Sequence, residues 1–189
     1  MDRTWEDPSV FSALLLGFAS EQGDAASSLL ELATGLRTSG HRARLTTVGA
    51  ETLATCAGAI FHALSAEPTH IIHAHSLRGA YAAMLACFAF TARHPCSLEP
   101  AIVTTLYSAE DVARASRRLP LPSDYFIVSS ERARAALIGG EGRHRLSERA
   151  HVIVPGARGE RIAATLAVYR LAWERRQREN RQALLAFEA

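Results

Sequence analysis

The segment HIIHAHS (70–76) places His70, His73 and His75 within a few residues of one another. Imidazoles bind metals, move protons and hydrogen-bond oxygen-rich ligands, so chemistry is sought here first. On an extended strand His73 and His75 share one face while His70 points away. At most two of the rings then converge. No third ligand stands nearby at metal-site spacing, and a closed zinc site needs four, so no metal is expected. Two roles stay open for the pair: binding an oxygen-rich ligand in a cleft, or satisfaction inside the structure.

Other chemistries find less support. There is no GxSxG elbow, and no serine or cysteine has an obvious base partner. A GxGxxG fingerprint and a P-loop are both missing after the first apolar run, where Gly23 stands alone, so no nucleotide cofactor is expected. The cysteines (Cys56, Cys87, Cys96) form no CxxC pair, and Cys87 reads as a small core residue.

The elements that must position these residues follow from periodicity. Residues 10–19 form an apolar run without alternation, the pattern of a strand buried on both faces. Further strands are expected over 41–48, 70–76, 101–108, 124–130 and 150–156. Helices are expected between them over 25–39, 51–67, 78–94, 109–119 and 131–140, with Gly40 as a left-handed stop. A helix in every connection implies parallel strands with right-handed crossovers. The expected fold is therefore α/β: one Rossmann-like, doubly wound parallel sheet with helices on both faces. It occupies 1–158, and a long C-terminal helix follows over 159–189.

That helix carries Ile162, Leu166, Tyr169 and Trp173 on one stripe, then ERRQRENRQ (174–182), polar all round, then ALLAF (183–187). Either its first half docks while its middle is solvated, or it binds a partner chain. In an open parallel sheet, ligands sit beyond the carboxyl ends of the strands. This selects Ser20 to Asp24, His73 to Arg78, Tyr107 to Glu110, Ser129 to Arg132 and Pro155 to Arg158.

A formal net charge of +2 is too small to argue for nucleic acid. The longest apolar runs fall short of the roughly 20 residues that span a bilayer, and the acidic N-terminus is unlike a secretory signal. A cytoplasmic protein without an integral membrane segment is expected.

Four segments in order resemble the N-terminal half of the family 4 glycosyltransferases, retaining enzymes with two facing Rossmann-like domains, the GT-B fold. LLELATGLRTSGHRARLTTV (29–48) is similar to the family's LELARGLxxxGHEVTVVT, and HIIHAHSLRGA (70–80) to DIIHAHSxxA. YFIVSSERARAALI (125–138) resembles DxVIAVSExxRxxL, and VIVPGA (152–157) stands where the family has VIPNGV. The resemblance implies an acceptor-binding domain in which His73, His75, Ser76, Arg78, Ser130 and Glu131 face a sugar acceptor. Several positions depart from the family pattern. Gly23 matches the first glycine of the diphosphate loop, but Asp24 replaces the second, and its carboxylate would repel a diphosphate. Ala26 replaces an acid, His70 replaces an aspartate, and Tyr107 stands at the position of the family's TxH histidine, which sits beside the reacting sugar. Nothing after 157 matches the donor-binding domain. The expectation is a degenerate, non-catalytic relative that works as an interaction or regulatory partner. An acceptor-binding subunit of a split transferase, completed by a separate donor-binding chain, is the alternative.

Overall fold

The structure is a computed structural model and describes residues 10–18, 24–48, 52–95, 97–117, 121–139, 146–154 and 157–188. Six strands alternate with six helices: β1 (Ser12–Phe18), α1 (Asp24–Thr38), β2 (Arg42–Val48), α2 (Leu53–Ala66), β3 (Ile71–Ala74), α3 (Leu77–Arg93), β4 (Ala101–Leu106), α4 (Ala109–Ala115), β5 (Tyr125–Val128), α5 (Glu131–Ile138), β6 (Ala150–Val152) and α6 (Arg158–Glu188). All strand pairs are parallel, in the order β2-β1-β3-β4-β5-β6. This is the doubly wound order 2-1-3-4-5 with one strand added, and its direction reverses at β1 and β3.

Burial explains the strand sequences. Every residue of β3, β4 and β5 is buried, so these strands are apolar or neutral throughout. The edge strand β2 varies between buried and exposed along its length and tolerates Arg42 and Arg44. Local chemistry punctuates the helices. Gly40 takes φ +83°, with its N–H on the Arg37 carbonyl at 3.1 Å and the His41 N–H on the Leu36 carbonyl at 2.9 Å. This is the Schellman closure of α1. Thr52, Ser76, Ser108 and Ser130 cap the amino ends of α2 to α5, each side chain accepting a backbone N–H three residues on.

Right-handed crossovers place α1 on one face of the sheet and α2 to α5 on the other. The packing agrees. Cys56, Ile60, Ala83, Cys87 and Phe90 pack beneath Leu14, Leu16, Ile72 and Ile102, and α4 and α5 continue that layer over Leu106, Phe126 and Val128. Burial pushes the Cys87 thiol up, which suits an inert core residue. On the opposite face α1 alone cannot cover the sheet. α6 completes the layer by laying Val168, Tyr169, Ala172 and Trp173 on Phe11, Ile71, Val103 and Tyr125. It therefore belongs to the same core as the strands.

The expected solvated middle of α6 is corrected by this packing. Arg176 pairs with Asp124 at 2.7 Å and with Glu99 at 2.9 Å, and the Asn180 amide reaches the Glu99 carbonyl at 3.2 Å. Polar residues dock here because buried partners await them. Among the described residues α6 presents apolar side chains to solvent at Leu171 and, farther along, at Leu185. Among the described residues no helix is long and apolar enough to cross a membrane.

Helices α1 and α6 approach closely at Gly35, where an added Cβ would overlap the Ile162 side chain. Helix propensity alone favours Gly35→Ala by about 1 kcal/mol. Overpacking costs about 1–3 kcal/mol, so a net loss of stability near 1 kcal/mol is expected in urea unfolding. A gain would show that Ile162 moves aside without cost.

Candidate ligand cleft

A cavity of about 140 Å³ opens at the carboxyl ends of the strands, between α1, the exits of β4 and β5, and the first turns of α6. That is the size of an engineered cavity of roughly 150 Å³ that admits benzene, so it suits a single ring. Its floor is apolar, from Leu106, Ile127, Val128, Ile153 and Ile162. Its walls and mouth carry Ser28, Glu31, His73, Tyr107, Ser129, Arg158 and Arg161.

The two carboxyl-end histidines come together with ring centroids 4.8 Å apart. His73 is buried, and both its nitrogens are engaged: Nδ1 lies 2.7 Å from the Tyr169 hydroxyl and Nε2 lies 2.7 Å from Thr105 Oγ1. Burial holds the Tyr169 hydroxyl well above its ordinary pKa and His73 well below. Tyr169 therefore keeps its proton and His73 stays neutral, so one ring nitrogen donates and the other accepts across the Tyr169 and Thr105 contacts. The relay ties α6 to β3 and β4 and leaves His73 no free nitrogen for a ligand.

His75 forms a second relay. Its Nδ1 lies 3.2 Å from the Tyr107 hydroxyl, which lies 3.1 Å from Ser28 Oγ. Burial lowers His75 to about 4, so the ring is neutral at pH 7. Its Nε2 is buried with no partner among the described residues. Tyr107 is 43% exposed and stands at the cavity mouth.

His70 sits at the other end of β3. Its Nδ1 accepts the Ser12 N–H at 2.8 Å, and its ring meets Trp173 edge-on at 4.8 Å. Among the described residues no three histidine, cysteine, aspartate or glutamate side chains are grouped to hold a metal ion.

Of the other residues singled out in the sequence, Ser129 and Arg158 line the cavity, whereas Ser76, Arg78, Ser130 and Glu131 lie apart from its lining. Ser76 and Ser130 spend their hydroxyls on helix caps. Arg78 is exposed on the first turn of α3, and Glu131 stands 3.5 Å from Arg134. Gly23 lies outside the described residues, and Asp24 opens α1. Ser28, Thr105, Arg161 and Tyr169 went unrecognised. For Thr105 a signal existed, since pairing of β3 with β4 sets His73 opposite Val103, and Thr105, two residues on, points to the same face. For Ser28, Arg161 and Tyr169 the partners lie on distant elements.

Fold and cleft together define a doubly wound parallel α/β domain with a small site at its strand exits. The chain matches no known family model and no curated protein.

Proposed function

We propose that this chain is a non-catalytic relative of the acceptor-binding half of the family 4 glycosyltransferases, which holds a small ligand at its strand exits and acts through a protein partner. One observation carries the reading. The histidine at the position that would face an acceptor, His73, has both nitrogens bound internally by Tyr169 and Thr105. Tyr107, at the position of the family's TxH histidine, is likewise hydrogen-bonded to His75 and Ser28. A catalytic acid or base needs a free nitrogen or oxygen within reach of the reacting group, and these groups are spent on structure.

For the partner, the supporting feature is apolar surface: Phe88 is 76% exposed and Leu85 40% exposed on α3, and Leu185 is 68% exposed on α6. Tyr169 and Trp173 are committed to the core, so a contact through the C-terminal helix would use its exposed Leu171 and Leu185.

The test is turnover. The purified chain, alone and with candidate donor-binding chains, is incubated with UDP- and GDP-linked hexoses and a panel of acceptors. No hexose transfer and no nucleotide-sugar hydrolysis are expected. Transfer by the chain alone would overturn the reading, and transfer only with an added chain would establish the split-transferase alternative.

A further inference from the structure

The first turns of α6 bring two cations to one wall of the cavity. Arg158 and Arg161 are three residues apart and so lie on one helix face, and both line the cavity. Facing them is Glu31 of α1. Arg161 Nη2 pairs with its carboxylate at 2.9 Å, and Arg158 Nη2 reaches its backbone carbonyl at 3.5 Å. The other guanidinium N–H groups of both arginines have no partner among the described residues. Two cations thus face one carboxylate, and the amino end of a 31-residue helix adds further positive potential. The Arg161–Glu31 pair is itself substantially exposed, at 36% and 49%, and such a pair contributes little and exchanges readily.

The floor of the cavity is apolar. A ligand bearing hydroxyls all round, such as an unmodified sugar, would set several of them unpaired against Ile127, Ile153 and Ile162, which is unfavourable. A body with one polar end fits better. Guanidinium forks match the paired oxygens of a carboxylate or phosphate.

We propose that the cavity takes a small organic anion, its acid group held by Arg158 and Arg161 and its ring-sized apolar body laid against Ile127, Ile153 and Ile162. This rests on the reading that the cleft is a ligand site, and it names the ligand's chemistry.

The test is calorimetry on the full chain with four probes: phenyl phosphate, benzoate, phenol and inorganic phosphate. Phenyl phosphate or benzoate is expected to bind, with phenol weaker by about tenfold or more because the charge-assisted bonds are lost. Inorganic phosphate is expected to bind more weakly than phenyl phosphate because it brings no apolar surface. Preference for phenyl phosphate marks a phosphate monoester, and preference for benzoate marks a carboxylate. The double variant Arg158→Gln/Arg161→Gln, whose fold is checked by circular dichroism, should lose about tenfold in affinity. Glu31→Gln should gain about twofold by removing the competing carboxylate. Added salt should weaken anion binding to the unaltered chain, a check that needs no variant. Equal binding of phenol and phenyl phosphate, or unchanged binding in the arginine double variant, would overturn the proposal while leaving the cleft a ligand site. Binding of none of the four probes would remove the anion and the ligand site together, and would leave the non-catalytic reading to its own turnover test.

Discussion

Lowering the pH from 7 to 4.5 is expected to unfold this chain cooperatively, with stability lost across the window from about pH 6.5 to pH 4. Burial lowers His75 to about 4; burial, with Arg42 nearby, lowers His70 to about 4. His73 lies well below its ordinary value, through burial and then its neighbour His75. In the unfolded chain all three return to about 6.5. As the pH falls the unfolded chain takes up protons first, so the native state loses the stability it held above pH 6.5. A histidine displaced from 6.5 to about 4 accounts for roughly 3 kcal/mol by the bottom of the window. A domain holds about 5–15 kcal/mol in all, so a few such residues exhaust it. Glu99 opposes this trend, because burial raises its carboxyl even with the Arg176 guanidinium beside it. One group does not offset three.

The measurement is urea unfolding at half-unit pH steps from 7.5 to 4, followed by far-ultraviolet circular dichroism and by the fluorescence of Trp173. That indole stands 4.8 Å from the His70 ring. A urea midpoint unchanged between pH 7 and pH 5 would show that these imidazoles protonate inside the native state. His75→Asn should flatten the profile, since it removes one of the groups that differ between the two states.

The strands and crossover helices were legible because their signals are local. An apolar run marks β1, short runs rich in β-branched and aromatic residues mark β3 to β5, Gly40 marks a helix stop, and the stripe of Tyr169 and Trp173 marks the docking face of α6. The convergence of His73 and His75 followed from strand parity alone. Ser76 and Ser130 stand where two roles coincide. A residue just after a strand is also the residue just before a helix, and a serine there serves the helix N–H groups first. The polar middle of α6 misled for a different reason. A charged stretch reads as solvated unless its partners are known, and those partners, Glu99 and Asp124, lie 77 and 52 residues from Arg176. Contacts that distant leave no periodic trace.

Asp124 is the residue whose loss should cost most. It lies just ahead of β5, with its side chain 6% exposed. Its Oδ2 accepts the Ile102 N–H at 2.7 Å, its own N–H donates to the Ile102 carbonyl at 2.8 Å, and Oδ1 accepts from Arg176 Nη2 at 2.7 Å. One carboxylate therefore joins β4 to α6. Burial works against the Arg176 charge, yet Asp124 and Glu99 more than offset it and raise the guanidinium's pKa. Asp124→Ala takes from that largely buried cation its most buried carboxylate partner, leaving Glu99 and Glu179, and orphans the Ile102 N–H. Breaking a buried pair by removing one member costs about 3–5 kcal/mol, and the expected loss in urea unfolding falls in that range. Asp124→Asn keeps an oxygen for the Ile102 N–H and should recover part of it. The double variant Asp124→Asn/Arg176→Met removes the stranded charge as well and should recover more, because a pair replaced together leaves nothing uncompensated. The same helix carries Arg158 and Arg161 to the cavity, so slackening it at Arg176 should also disturb the cleft. An Asp124→Ala variant within about 1 kcal/mol of the unaltered chain would mean that the apolar stripe alone holds α6, with the charges merely tolerated beneath it.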